Sequence, residues 1–117
     1  MKLKRGDVVY VELPATKMPG HEQLGLRPAV VLQSDPYASP ATTVVVIPAT
    51  SKVAASRFAY SVRVDPDGSN GLTFATVFLV SQVRAIDQGR VQSVIGELSL
   101  DHMRLISDEL AKLLGLA

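Results

Sequence analysis

The 117-residue chain contains no cysteine. Structural disulfides, cysteine-ligated zinc and a thiol nucleophile are therefore all excluded. Its two histidines, His21 and His102, are far apart in sequence and show no metal-ligand spacing. No cofactor is expected. The longest apolar runs are only of strand length, too short for a membrane-spanning helix. The opening "MKLKRGDVVYVEL" reads as a basic stub running into a strand rather than as a signal peptide. The expectation is a soluble, cytoplasmic protein without membrane association. Internal repeats, low-complexity segments and convincing linkers are also lacking. With 47% hydrophobic residues, 1–117 reads as one domain, long enough for a single core and too short for two.

A strong charge of either sign is absent too. The net charge is +1, so nucleic-acid binding cannot be argued from the total. The two halves differ: residues 1–60 hold seven Lys/Arg against four Asp/Glu (+3), and residues 61–117 hold five against seven (−2). That asymmetry fits a polyanion-binding face and an ordinary solvated surface about equally.

What the chain does have is β signal. "DVVYVEL" (7–13), "PAVVLQ" (28–33), "TTVVVIPA" (42–49), "FAYSVRV" (58–64) and "LTFATVFLV" (72–80) are rich in β-branched and aromatic residues, with breakers between them. The two Val-rich runs read as buried on both faces, whereas "FAYSVRV" alternates like a half-exposed strand. "DPDGSNG" (65–71) has the residues to close a hairpin, and "SQVRAID" and "RVQSVIGEL" offer shorter strand or turn pieces. At the end the period changes. Leu100, Met103, Ile106, Leu110, Leu113 and Leu114 fall on one helical face, with Ser99 as N-cap, Gly115 as the stop and His102 facing solvent in the first turn. Many strands followed by one C-terminal helix predict a mainly β fold, a small barrel with a packed helix.

Such barrels serve enzymes, nucleic-acid binders and interaction modules, so function has to be sought in the loops. Three stretches carry polar chemistry: "GHEQLGLRP" (20–28), "PATSK" (48–52) and "FLVSQVRAID" (78–87). Taken in order with "RGDVVYVEL", "GHEQLGLRPAVVLQSD", "VVVIPATSK", the Gly71–Leu72 pair and a final helix, they resemble the MazF/PemK/Kid toxins of bacterial toxin–antitoxin pairs over nearly the whole chain. The combination of an "EQ…G.RP" loop, a strand and "P.TS" is specific, although no one motif decides it.

The resemblance implies an SH3-like small β-barrel with a C-terminal α-helix. It also implies a homodimer that cuts single-stranded mRNA selectively and without metal, and a cognate antitoxin with an acidic, disordered tail. The family's catalytic arginine falls on Arg27 and its catalytic threonine on Thr50. Glu22 and Gln23 match the glutamate and glutamine that shape the site, and His21 matches the Kid-like "GHEQ" where many MazF members read "GSEQ". Pro28, Ser51, Lys52, Ser81 and Gln82 are the further candidates for RNA contact. Where Kid has an arginine and an aspartate in "VRCDQ", this chain has Leu79 and Ser81. That departure favours the MazF-type pairing of Arg27 with Thr50.

The chemistry of RNA cleavage agrees with these residue types. Attack by the RNA's own 2′-hydroxyl needs a proton acceptor, a donor for the leaving 5′-oxygen and positive charge on the phosphorane. Arg27 supplies a planar charged fork and Thr50 a short hydroxyl. Arginine is a poor base, so the acceptor is Glu22 or His21, the alternative for Glu22 being to act only by orienting Arg27. Glu22 is preferred, because the "GSEQ" members share it. Each residue also has a plain structural alternative: Arg27 anchoring a loop through backbone carbonyls, Thr50 and Ser51 capping a turn, His21 packing a loop. The competing functional expectation is a non-catalytic toxin or binding module on the same barrel, like the gyrase poison CcdB. A third is an RNA-binding domain without activity.

Overall fold

The computed structural model describes residues 2–14, 20–34 and 42–117. Asp35, the last residue of the long motif quoted above, lies outside them. Seven strands are formed: β1 (Asp7–Leu13), β2 (Gly25–Val31), β3 (Thr43–Thr50), β4 (Ser61–Val64), β5 (Thr76–Leu79), β6 (Arg84–Asp87) and β7 (Val91–Glu97). One helix, α1 (Leu100–Leu113), ends the chain. The antiparallel ladders run β4-β5-β3-β2-β1-β7, with β6 also on β3. β5 and β6 belong to one run of chain that follows successive parts of β3, interrupted by a 3-10 turn at Val80–Gln82.

The Val-rich strands are buried on both faces, as expected. Alternate residues of β2 and β3 enter different clusters: Val30, Ile47 and Ala49 pack with Phe78, Met103 and Ile106. Ala29, Val31, Val44 and Val46 pack with Val9, Val11 and Leu13. A one-residue slip of β2 against β1 would exchange the two sets, so burial holds the register that pairs Arg27 with Val11 and Pro28 with Tyr10.

The expected mainly β barrel with a C-terminal helix is what forms, with one refinement. β4 and β7, the ends of the ladder order, are not paired to each other. The β4–β5 connection bridges them: Glu97 N donates to Ser69 O at 3.0 Å. A Cβ on Gly71 would collide with the Ile95 carbonyl, and one on Gly96 with the backbone of Ser69 and Asn70. "DPDGSNG" does close a hairpin, with its turn built from side chains. Asp67 Oδ1 accepts from the N–H groups of Ser69 and Asn70, both at 2.8 Å. Asn70, fully buried, donates to Asp65 O and accepts from Leu72 N.

Two strands start later than the sequence suggests. "FAYSVRV" is extended only from Ser61, because Val53–Arg57 form a 3-10 helix and Tyr60 takes φ 60°. Ser61 Oγ donates to Phe58 O at 2.7 Å and stabilises that bend. "LTFATVFLV" is a strand only from Thr76, its first residues being part of the connection. In α1, Ser99 Oγ accepts from His102 N at 3.1 Å, as an N-cap should, and Gly115 leaves the helix with φ 73°. The apolar stripe is shorter than its periodicity: Met103 and Ile106 are buried and Leu110 and Leu113 half-buried, while Leu100 is 82% exposed and Leu114 is exposed. At the first helical position Leu100 borders a depression with Asp67, Ser69 and Glu97 rather than joining the core. His102 is half-buried rather than solvent-facing, and its Nδ1 meets Ser99 Oγ at 3.0 Å. Among the described residues no helix is long and apolar enough to cross a membrane.

Candidate active site

Thr50 ends β3 and is only 4% exposed, unusual for a hydroxyl residue at a strand end. It forms the common wall of two depressions. The first, about 240 Å³, holds Arg27 and Pro28 from β2, Tyr10 from β1, Ser51, and Phe74. The second, about 510 Å³, holds His21, Gln23, Lys52, Phe58, Ser81 and Gln82. Nine of the ten residues singled out from the sequence thus gather around one threonine. The tenth, Glu22, lines a separate depression of about 280 Å³ with Ser81, Gln82 and Arg84.

The plain structural roles of Arg27 and Thr50 are both realised, and neither uses up the chemistry. Arg27 Nε donates to Leu24 O at 2.9 Å, which ties the guanidinium to the loop before β2. Its two terminal nitrogens have no hydrogen-bond partner among the described residues, leaving the fork open. Thr50 Oγ1 accepts from Lys52 N at 3.2 Å and so caps the turn. Because it is the acceptor there, its own O–H remains a donor.

The loop that bears His21, Glu22 and Gln23 is held by Gln82. The Gln82 carboxamide donates through Nε2 to His21 O at 3.1 Å and accepts through Oε1 from Gln23 N at 2.8 Å. Gln82 reaches this position because the 3-10 turn interrupts the β5–β6 run and lifts residues 80–82 off the ladder. An expected RNA contact therefore also clamps the loop. Glu22 is exposed, with its carboxylate folded over Gly20, and no ion pair joins it to Arg27 or Arg84 among the described residues.

Sequence reasoning missed two aromatic rings. Phe58 is 57% exposed at the larger depression, with the Arg57 guanidinium 5.3 Å from its ring centroid, and Phe74 is 68% exposed at the smaller one. Both had been assigned to strands, where an apolar residue needs no further explanation. The adjacent Arg57–Phe58 pair was the available signal. Among the described residues no three His, Asp or Glu side chains converge as metal ligands would.

Known proteins share this arrangement of strands and helix. Endoribonuclease MazF of Staphylococcus saprophyticus is 28% identical over 114 residues, which cover 97% of this chain and 92% of that protein. The crystal structure of MazF from Deinococcus radiodurans superposes with a TM-score of 0.78 at 28% identity over 98% of each chain. An endoribonuclease from a mycobacterial species, solved in complex with its cognate antitoxin, has the same fold: TM-score 0.75 at 18% identity, over 98% of this chain and 97% of that one. Residues 4–114 match the family described as the PemK-like, MazF-like toxin of type II toxin–antitoxin systems, and with nearly the whole chain inside that match, this protein belongs to that family.

Proposed function

We propose that the protein is a sequence-selective endoribonuclease, the toxin of a type II toxin–antitoxin pair, which cuts single-stranded RNA without metal. The observation that carries this reading is the pairing of Arg27 with Thr50 in one depression, one offering an open guanidinium fork and the other a free hydroxyl donor. A phosphodiester held by these two has its non-bridging oxygens neutralised where negative charge grows in the transition state. The 2′-oxygen then bonds to phosphorus, the P–O5′ bond breaks with the leaving 5′-oxygen taking a proton from solvent water, and the products carry a 2′,3′-cyclic phosphate and a 5′-hydroxyl.

The 2′-hydroxyl proton goes to His21 in this reading. His21 shares a depression with Thr50, whereas Glu22 faces a different one. That shared depression is our reason for preferring His21 here over Glu22, the choice that motif comparison favours. Exposed apolar side chains at Leu26, Leu100, Leu105, Leu114 and Leu116 support a homodimer. The acidic, disordered tail of an antitoxin would suit the cations Arg27, Lys52 and Arg57 around the site.

The test is incubation of the purified protein with a long RNA in EDTA, followed by chemical analysis of the ends. Cyclic-phosphate termini, and no cut where the preceding nucleotide is 2′-deoxy, are expected; cutting at a 2′-deoxy position would rule the mechanism out. The pH–rate profile identifies the acceptor. With His21 in the role, the acidic limb of the profile disappears in His21→Ala. A limb that survives that change and vanishes in Glu22→Gln would return the role to Glu22. Light scattering at micromolar concentration checks the dimer.

A further inference from the structure

We infer that the larger depression beside Thr50 receives a single nucleobase of the RNA, stacked on Phe58 and read along its edge by the Gln23 carboxamide, so that it sets the base preference next to the cut. The inference rests on the endoribonuclease reading for its ligand, and on three observations for its site.

The first is shape. At about 510 Å³ the depression is within the range of pockets that enclose small molecules, roughly 300–1,000 Å³. Leu79 and Ala55 give it apolar walls, and it opens beside the threonine assigned to the scissile phosphate. The second is Phe58, a large apolar ring left 57% exposed on its rim. The Arg57 guanidinium, 5.3 Å from the ring centroid, steadies it by a cation–π contact and adds positive charge where a phosphate chain would pass. An exposed aromatic beside a cation is how single-stranded nucleic acid is usually gripped, and one base–aromatic stack contributes about 1–3 kcal/mol.

The third is Gln23. Its Oε1 is the one buried side-chain polar atom among the described residues that lacks a hydrogen-bond partner. An acceptor shut away from water without a partner is destabilising. Its backbone is pinned by Gln82, so the carboxamide can recover that energy only by turning about its own side-chain bonds. A base entering the depression brings ring N–H or exocyclic amino donors together with acceptors, which a carboxamide can match on one edge. The orphaned acceptor is thereby satisfied only when a base of the right edge is bound, and that difference is selectivity.

The experiment is an NMR titration of the labelled full chain with the 3′-monophosphates of adenosine, guanosine, cytidine and uridine in turn, and with N-acetyltryptophanamide as a protein-like aromatic probe. Expected are shifts at the Phe58 ring and the Gln23 side-chain amide, with one nucleotide bound about tenfold or more tightly than the weakest. Phe58→Ala should weaken binding by roughly 5–150-fold, the equivalent of one stack, and Phe58→Trp should restore it. Gln23→Met should level the four affinities and broaden the cleavage pattern on a long RNA at one position. Equal affinities in the unaltered protein, shifts that map elsewhere, or no nucleotide binding would overturn the inference. Binding of N-acetyltryptophanamide alone would assign the depression to a protein partner instead. A chain that binds nucleotides here yet cuts no RNA would retain the base pocket and lose the proposed activity, so the two readings fail separately.

Discussion

The two depressions that meet at Thr50 are held in place by different means. On the Arg27 side the walls are strands, and the register that presents Arg27 and Pro28 is the one that buries Ala29, Val30 and Val31 in two opposed clusters. Moving Arg27 would mean moving the core. On the His21 side the wall is a loop, whose described backbone is tied across the chain by the two hydrogen bonds of Gln82. In the proposed reading, phosphate binding sits on the strand-built side and base recognition and proton transfer on the loop-built side. Chemistry common to every substrate needs fixed geometry, while selectivity can vary with a loop.

Changes at three residues would break or sharpen that contrast. Arg27→Ala should stay folded and lose about 10²–10³ in kcat/KM, since it removes a charged donor to a developing oxyanion. Arg27→Lys should recover little, because a point charge does not reproduce the fork. Cleavage rates with a thermal melt check both. Gln82→Ala removes two hydrogen bonds of about 0.5–1.5 kcal/mol each, so amide exchange at Gln23 should accelerate by roughly 5–150-fold while Val30 stays protected. Equal acceleration at both amides would erase the distinction between the two sides. Thr50→Ala should cost less than Arg27→Ala, roughly 10–150-fold for one hydrogen bond to a charged oxygen, and Thr50→Ser should keep most of the rate.

The smallest effect is expected outside both depressions. The N–H groups of Ser69 and Asn70 hold the Asp67 carboxylate below its ordinary range. Its contribution to stability is therefore present above the unfolded-state pKa and is lost as pH falls through the depressed folded value. Asp67→Asn should make acid unfolding shallower and leave the pH–rate profile near neutrality unchanged, measured by melts across acid pH and by cleavage assays. A changed profile would show that the β4–β5 connection communicates with the site.

Burial decided how much of this was legible in the sequence. The two-faced strands "PAVVLQ" and "TTVVVIPA", the hairpin at 65–71 and the capped helix follow from local patterns that the packed structure reinforces. Around Phe58 and Phe74 the same patterns misled, because an apolar residue next to a strand looks like part of it whether it is covered or not. The bend at Tyr60 depends on one left-handed residue and a serine hydroxyl, features that periodicity does not register. In the site, motif order brought Arg27 and Thr50 forward together. That Glu22 and His21 line different depressions was not legible in the motif, since neighbours in a loop can point apart. The Gln82 clamp joins positions about sixty residues apart and exists only in three dimensions.

The contact of Gly71 with Ile95 and of Gly96 with Asn70, described above as the bridge between β4 and β7, also bears on solubility. One edge of β7 is paired with β1, and the β4–β5 connection lies against the strand at Ile95, Gly96 and Glu97. An uncovered strand edge is a template for another chain to add to. A side chain at either glycine would push the connection away and leave the edge open. Gly96→Val should therefore appear first as self-association on mild heating, before the cooperative melt, and the unaltered protein should show no such step. The two glycines keep a sheet that is left open by its own ladder from being extended by its neighbours.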